Sequence, residues 1–190
     1  MAASTAVHSR AFDFLSYIES GVDPRTGQYT LNLTLPEIKA NDLSGPIAPL
    51  TLGFNPLNIT NSGFGIGWEL RLSQYDASNQ IIALSTGETF KVTGETSDNQ
   101  LVMAEQKIPS FHFYRDEPTL YRVVHKSGTI EMLRLEGNLA LPETVYSPEG
   151  FKVSFAYLPF DTGLRRLHQV TDGQGVTLLE INRPPNSQVI

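Results

Sequence analysis

Carboxylates are the most numerous titratable side chains in this sequence, since Asp and Glu together number 20. A glycosidase uses two carboxyl groups that face each other across the bond it cleaves, and no spacing in this chain selects such a pair. Where the chain turns at a proline or a glycine, an adjacent carboxylate is more often solvated or hydrogen-bonded to the backbone than catalytic. The sequence therefore predicts no catalytic residue and a protein that is not an enzyme. The carboxylates considered are Asp116, Glu117, Glu131, Glu136 and Asp172.

Metal and nucleotide sites are not favoured either. The histidines are His8, His112, His125 and His168. None of them has a His or Cys neighbour at the spacing of metal ligands. The loops Asp161-Thr-Gly163 and Asp172-Gly-Gln-Gly175 each supply too few oxygen ligands for calcium. The run Gly63-Phe-Gly-Ile-Gly67 lacks the spacing and the βαβ context of a dinucleotide loop, so we predict no cofactor and no metal.

Aromatic side chains leave a binding role open. Tyrosines on an exposed sheet face could stack on sugars, although core or edge packing is the favoured explanation. This keeps an alternative function, a carbohydrate-binding β domain of a secreted or surface protein. The tyrosines concerned are Tyr114, Tyr121, Tyr146 and Tyr157.

The composition limits the classes of protein to which this chain can belong. The 190 residues are 40% hydrophobic and 18% charged, which is typical of a packed domain. A net charge of −6 disfavours nucleic-acid binding. No cysteine is available for disulfides, and no apolar run approaches the ~20 residues of a membrane helix. The first residues lack the pattern of a signal peptide.

The clearest structural signal is a turn followed by a strand between Gly21 and Pro36. Pro24 and Gly27 favour a turn. Side chains then alternate between apolar and polar from Tyr29 to Leu35, which predicts a strand with one buried face.

The same pattern, turn residues followed by an alternating run, recurs along the chain. The glycines of Gly63-Phe-Gly-Ile-Gly-Trp68 alternate with apolar residues, which predicts a strand with a flat glycine face and with Trp68 as a core anchor. Short glycine turns between alternating runs predict hairpins. We place these turns at Gly87, Gly128, Gly150 and Gly175.

Two regions are expected. Residues 1–20 form an N-terminal arm or docked plug, in which Ala11 to Ile18 is the only stretch that favours a short helix. Residues 21–190 form a β-hairpin-repeat domain, divisible into 21–107 and 108–190. The predicted fold class is all-β, with consecutive antiparallel hairpins forming a curved sheet or sandwich.

Several of these runs resemble the N-terminal part of bacterial RHS/YD-repeat proteins, the polymorphic toxins and the B and C components of insecticidal toxin complexes. The most specific is Val22-Asp-Pro-Arg-Thr-Gly-Gln-Tyr29, supported by Gly63–Trp68 and the later glycine turns. The segment from Tyr146 to Tyr157 is similar to a degenerate repeat. The repeat's Tyr-Asp pair occurs once, as Tyr75-Asp76, outside the last two units.

The resemblance implies a structural function. Repeats of this family form a β shell that encloses a toxic C-terminal domain until delivery, so we expect this chain to be the opening segment of such a shell. Its expected partners are further RHS repeats and a toxin domain of the same or a partner protein. An open sheet edge near the C-terminal end would invite self-association. Without a recognisable signal peptide, a specialised secretion system would export the protein, and it would be cytoplasmic before delivery.

Overall fold

The computed structural model describes residues 17–22, 27–35, 38–40, 45–48, 50–104, 106, 110–160 and 164–182. Within these ranges the chain has no α-helix and all ladders are antiparallel, so the all-β prediction of successive hairpins is confirmed. The strands are β1 (Ile18–Val22), β2 (Tyr29–Thr34), β3 (Ile38–Lys39), β4 (Ile47–Ala48), β5 (Thr51–Phe54), β6 (Trp68–Leu70), β7 (Gln74–Asp76), β8 (Ile81–Ala83), β9 (Thr89–Glu95), β10 (Gln100–Met103), β11 (Phe111–Glu117), β12 (Leu120–His125), β13 (Ile130–Glu136), β14 (Leu139–Tyr146), β15 (Lys152–Phe160), β16 (Leu164–Asp172) and β17 (Thr177–Glu180).

Strands β7 to β14 close into a barrel of eight strands. Each strand pairs with the next along the chain, and β14 returns to β7 through the pairs Leu139–Asp76 and Ala140–Tyr75. A barrel of this size leaves an interior just wide enough for side chains. Here it is filled by one apolar cluster: Tyr75, Ile82, Leu84, Val92, Leu101, Met103, Phe111, Phe113, Tyr121, Val123, Leu133 and Ala140.

Strand β14 also begins a second structure, which we call the arm and which consists of β15, β16 and β17. The first residues of β14 pair with β7, whereas Thr144, Val145 and Tyr146 pair with β15. The sheet therefore continues out of the barrel wall into β15, β16 and β17. Its last strand, β17, lies against the short strand β3.

The N-terminal sheet has the order β1-β2-β5-β6. The predicted strand is present, but its expected one-sided burial is not. Tyr29 is 46% exposed, and Leu31 and Leu33 are only half-buried. No second layer covers this end of the sheet within the described ranges, so alternation there does not produce a buried face.

A second apolar cluster joins the N-terminal segment to the arm. Leu50 and Ala40 are buried together with four arm residues, and Leu35, Leu70 and Leu72 pack against them. The arm residues are Val153, Phe155, Leu167 and Val170. Each of the two clusters thus draws on chain segments from both sides of position 107, where we drew the internal division.

Other expectations need correction or lie outside the described residues. The run from Gly63 to Gly67 is a loop rather than a strand, because its three glycines have φ of 96°, 108° and 84°. Ile18 begins β1 instead of ending a helix. Tyr17 lies in a 3-10 turn, whereas residues 11–16 of the predicted helix, Pro24, and the loop Asp161-Thr-Gly163 lie outside the described residues.

Candidate functional site

The single Tyr-Asp pair forms a corner between a barrel strand and its turn. The Tyr75 ring lies in the barrel core, with its centroid 5.1 Å from that of Phe113 and 4.9 Å from that of Tyr121. The Asp76 carboxylate turns outward and accepts hydrogen bonds from the backbone N–H groups of Ser78 and Asn79 at 2.9 and 3.1 Å. The Ser78 hydroxyl and the Asn79 amide also donate to it, at 2.5 and 2.7 Å.

These hydrogen bonds favour the ionised carboxylate. The Ser78 hydroxyl contributes most, and together with the Asn79 donors it lowers the pKa of Asp76 to about 2. Burial raises the pKa of Tyr75, and the neighbouring Tyr121 adds to that effect. The pair is therefore built for structure: its tyrosine anchors the strand inside, and its aspartate fixes the turn outside.

Barrel and arm separate at Pro142, and we call this region the junction. Pro142 is fully buried and lies between the part of β14 that pairs with β7 and the part that pairs with β15. A proline has no N–H to donate to a ladder. The register also shifts here, because Leu133 pairs with Pro142 while Met132 pairs with Thr144. This bulge lets one strand serve two neighbours.

Tyr157 bridges the junction from the arm. Its hydroxyl donates to the carbonyl oxygen of Pro142 at 2.8 Å, so the acceptor freed by the change of partner is satisfied. Burial raises the pKa of Tyr157, while the nearby Arg165 lowers it by a smaller amount. The guanidinium carbon of Arg165 lies 5.4 Å from the centroid of the Tyr157 ring.

Arg165 makes the second bridge. Its Nη2 donates to the carbonyl oxygens of Arg134 and Leu139, both at 3.2 Å, and its Nη1 lies 2.9 Å from Oε1 of Glu136. The side chain is only 14% exposed. One arginine of β16 therefore ties the arm to two residues of β13 and to the first residue of β14. A cleft of about 290 Å³ beside it is also lined by Glu143 and Phe155.

The loop from Gly63 to Gly67 leads into β6 of the N-terminal sheet and is held by side-chain hydrogen bonds. The Asn61 side-chain oxygen accepts hydrogen bonds from the N–H groups of Gly63 and Gly65 at 2.8 and 3.1 Å. A Cβ at Gly67 would lie 2.7 Å from a ring carbon of Phe54. The Trp68 ring, 5.2 Å from that of Phe54, is half-buried and belongs to neither apolar cluster, so it is not the core anchor expected from the sequence.

The glycines singled out in the sequence all have positive φ. At Gly128 a Cβ would lie 3.1 Å from Cγ of Pro148, so two neighbouring turns pack closely there. The glycines concerned are Gly27, Gly63, Gly65, Gly67, Gly87, Gly128, Gly150 and Gly175.

The candidate carboxylates are dispersed rather than convergent. Asp116 accepts two hydrogen bonds from Arg122, at 2.8 and 2.9 Å, and this interaction raises the pKa of the arginine. Glu136 pairs with Arg165, and Asp172 accepts from two backbone N–H groups of its own turn. Within the described residues, no group of three His, Asp or Glu side chains could hold a metal ion.

One close side-chain pair escaped the sequence analysis. His125 Nε2 lies 2.6 Å from Oε1 of Glu131, and both side chains are largely buried. They line a cavity of about 250 Å³ together with Ser73, Leu72 and Phe155. The sequence analysis considered His125 and Glu131 separately. They lie on neighbouring strands on either side of a turn, and their spacing in the sequence did not predict that the two side chains would meet.

The tyrosines proposed for sugar stacking do not form a platform. Tyr121 is in the barrel core and the Tyr157 hydroxyl is at the junction. Tyr114 is half-buried, with the guanidinium carbon of Arg122 4.5 Å from its ring centroid. Core and edge packing therefore explains Tyr114, Tyr121 and Tyr157, and Tyr146 is half-buried at the end of β14. As a separate matter, no helix among the described residues is long and apolar enough to cross a membrane.

Comparison with solved structures bears on this architecture. A crystal structure of TcdB2-TccC3 matches 82% of this chain with a TM-score of 0.60 at 14% sequence identity. This chain therefore has an RHS-like fold. TcdB2-TccC3 without its hypervariable C-terminal region matches 81% of the chain, with a TM-score of 0.55 and 15% identity. A TcdB2-TccC3-Cdc42 structure matches 77%, also with a TM-score of 0.55 and 15% identity.

This likeness confirms the resemblance to RHS proteins at the level of the fold. The matched region makes up only 9 to 10% of the solved chains, so this chain spans about a tenth of their length. No protein-family model and no curated protein matches the sequence.

Proposed function

We propose that this chain is a structural, non-catalytic segment of an RHS/YD-repeat shell that encloses and helps to deliver a toxic C-terminal domain. The observation that supports this most is the likeness in fold to TcdB2-TccC3 over 82% of the chain. Its partners would be further RHS repeats and a toxin domain of the same or a partner protein. The protein would leave the cell through a specialised secretion system.

The geometry suggests different roles for the barrel and the arm. The barrel cannot enclose a cargo, because its interior is filled by its own side chains. The arm, in contrast, is an open antiparallel sheet that leaves the barrel wall through β14 and ends at β17. Further hairpins can add to such an edge strand by strand. The barrel would thus act as an anchor, and the arm as the first part of the shell wall.

The dispersed carboxylates support a non-catalytic role. Acid–base catalysis needs groups that converge on one reacting bond. In this chain Asp116, Glu136 and Asp172 are each held by a different structural partner. At the junction the polar groups are likewise hydrogen-bonded to each other. The Tyr157 hydroxyl donates to the Pro142 carbonyl, and Arg165 donates to the backbone carbonyl of Arg134.

Protease protection tests the proposal. The longest gene product that contains this segment would be digested with a broad-specificity protease, and the half-life of its C-terminal region would be compared with that of the same region expressed alone. Enclosure predicts a half-life at least about tenfold longer, because cleavage must wait for the shell to open. Equal half-lives would contradict enclosure. A gene product without further repeats, and without a partner that carries them, would contradict the shell itself.

A further inference from the structure

The side-chain pair of His125 and Glu131 has no part in the proposed shell. Nε2 of His125 lies 2.6 Å from Oε1 of Glu131, and the two side chains are only 18% and 10% exposed. A buried carboxylate is costly unless hydrogen bonds satisfy it. Among the described residues, His125 is the only hydrogen-bond partner of this carboxylate, so its second oxygen can accept from a further donor.

The pair lines the cavity of about 250 Å³ that lies between the barrel, the arm and the N-terminal segment. Voids in a packed protein interior are rarely larger than a water molecule. An apolar cavity of roughly 150 Å³ is enough to bind benzene. The cavity beside His125 and Glu131 therefore has the volume for one ring with a small substituent.

The walls of this cavity are apolar and come from separate parts of the chain. Leu50 and Leu72 contribute from the N-terminal side. Pro142 and Val145 belong to β14, and Phe155 belongs to β15. Small-molecule sites commonly have this character, with apolar walls, a few fixed polar groups and a position between structural units.

The polar groups around the cavity are held in place by hydrogen bonds of the fold itself. Glu131 belongs to β13, which is paired on both sides, with β12 and with β14. The N–H of His125 donates to the carbonyl oxygen of Thr129 at 2.9 Å, which closes the turn beside the pair. Ser73 Oγ accepts from the N–H of Ser85 at 3.1 Å. A site that is fixed before binding loses less conformational entropy when it binds.

The arrangement defines the chemistry of a ligand. An ionised carboxylate can only accept hydrogen bonds, so the ligand must carry a donor. A neutral donor suits the site better than a cation, because the apolar walls would desolvate a charge. The exposed residues of the lining are Ser85, Thr86 and Ser127, which lie at two turns, so the cavity opens to solvent on that side.

We propose that this cavity binds a small neutral molecule with an apolar ring and one hydroxyl group, of the phenol class. Its hydroxyl donates to the Glu131 carboxylate, and its ring packs against Leu72 and Phe155. The bound molecule would contact the N-terminal segment, the barrel and the arm together. The inference is independent of the proposed shell.

A titration of the full chain with phenol and with toluene, followed by amide chemical shifts, tests the proposal. The two probes are nearly isosteric, but only phenol has a donor. Phenol should bind one site with a Kd of about 1 mM or lower, and toluene should bind at least about tenfold more weakly. The shifted amides should be those of the cavity lining, around His125, Glu131 and Phe155.

Two variants separate the carboxylate from the space around it. Glu131→Met removes the acceptor at similar size, so phenol should lose its preference over toluene. Leu72→Phe keeps the acceptor but fills part of the cavity, so both probes should bind at least about tenfold more weakly. Glu117→Met is the matched control, because Glu117 is an exposed carboxylate of β11, and it should leave phenol binding unchanged.

Several results would overturn the proposal. They are the absence of saturable phenol binding, equal affinities for phenol and toluene in the unaltered chain, and shifts that cluster away from the cavity. Phenol binding that is unchanged in Leu72→Phe would do the same. A dispersed amide spectrum shows that a variant is folded. If Glu131→Met does not fold, the ratio of the two affinities in the unaltered chain and the result for Leu72→Phe decide.

Discussion

The barrel and the N-terminal sheet are both built from short antiparallel strands, but they hold those strands in different ways. The barrel is closed, and Phe111, Phe113 and Leu133 are at most 1% exposed within it. The N-terminal sheet is open, and four of the five residues of β1 are exposed. Closure gives every barrel strand two neighbours and a shared interior, whereas the sheet relies on loop hydrogen bonds and on the second cluster.

The difference indicates two levels of stability in one chain. Strands with few buried apolar contacts open at a lower free energy than strands in a filled core. The barrel should therefore resist unfolding as a unit, while β1 and the glycine loop open more readily. A region that opens readily gains most from a partner that covers it.

The largest expected effect is the loss of a barrel aromatic. Phe113→Ala removes a ring that is 0% exposed and contacts Tyr75 and Tyr121, with centroids at 5.1 and 5.6 Å. We expect the free energy of unfolding, measured by urea denaturation, to fall by about 3–5 kcal/mol. Phe151→Ala, at a turn where the side chain is 40% exposed, is the control and should cost about 1 kcal/mol or less. Similar losses in the two variants would contradict a filled barrel.

A glycine substitution tests the sheet. At Gly67 alanine meets both a φ of 84° and the Phe54 ring, so Gly67→Ala should destabilise this region by about 2–4 kcal/mol. Gly87→Ala is matched, because Gly87 has a φ of 94° but open space around it, and it should cost about 1–2 kcal/mol.

The fluorescence of Trp68 separates the two levels of stability. In Gly67→Ala its unfolding transition should move to lower urea. The transition followed by far-ultraviolet circular dichroism should move less, because that signal comes mostly from strands β7 to β17. If both signals shift together in Gly67→Ala, sheet and barrel unfold as one unit, and the comparison drawn above is wrong.

The junction predicts a smaller effect. Tyr157→Phe keeps the ring beside Arg165 but removes the donor to the Pro142 carbonyl, which should cost about 1–2 kcal/mol. Amide hydrogen exchange should accelerate in β15 and β16 and stay unchanged in β8 to β11. Tyr29→Phe, at an exposed ring, is the control and should change neither region. Equal acceleration in the barrel would mean that the arm is not a separate unit.

Local patterns in the sequence predicted the hairpins well, because each depends on neighbouring residues. The turn at Gly128 lies between strands that begin and end within a few residues of it. Alternating glycines were misleading at Gly63 to Gly67, because alternation describes a strand only when the backbone is extended. The asparagine at position 61, which bonds two of those N–H groups, was the unused signal for a loop.

Barrel closure could not be read from the sequence, because the pairing of β14 with β7 joins residues more than sixty positions apart. A proline inside a run also argues against a central strand, so Leu139 to Tyr146 was not recognised as the strand shared by barrel and arm. The bridge from Arg165 to the carbonyls of Arg134 and Leu139 has no local signature. The junction therefore emerges only from long-range contacts.

The smallest effect concerns the Tyr-Asp corner and depends on pH. The pKa of Asp76 is about 2 in the folded chain, below its ordinary value of 3.8, because the Ser78 hydroxyl and the Asn79 donors bind the ionised form. A lowered folded-state pKa adds stability above the ordinary value, and this stability is lost as the pH falls from about 4 to about 2. The carboxylate is exposed, so solvent screening limits the contribution to about 1 kcal/mol or less.

Paired denaturation curves at pH 6 and pH 2 would measure this contribution, at protein concentrations low enough to keep the chain monomeric. Asp76→Asn should be less stable than the unaltered chain at the higher pH and nearly equal to it at the lower pH, because protonation removes the charge that the substitution lacks. Ser78→Ala removes the largest of the favourable hydrogen bonds and should show part of the same trend. A difference between Asp76→Asn and the unaltered chain that is the same at both pH values would mean that Asp76 shapes the turn without using its charge. Tyr75 would then be the residue of the pair that contributes most to the stability of the barrel.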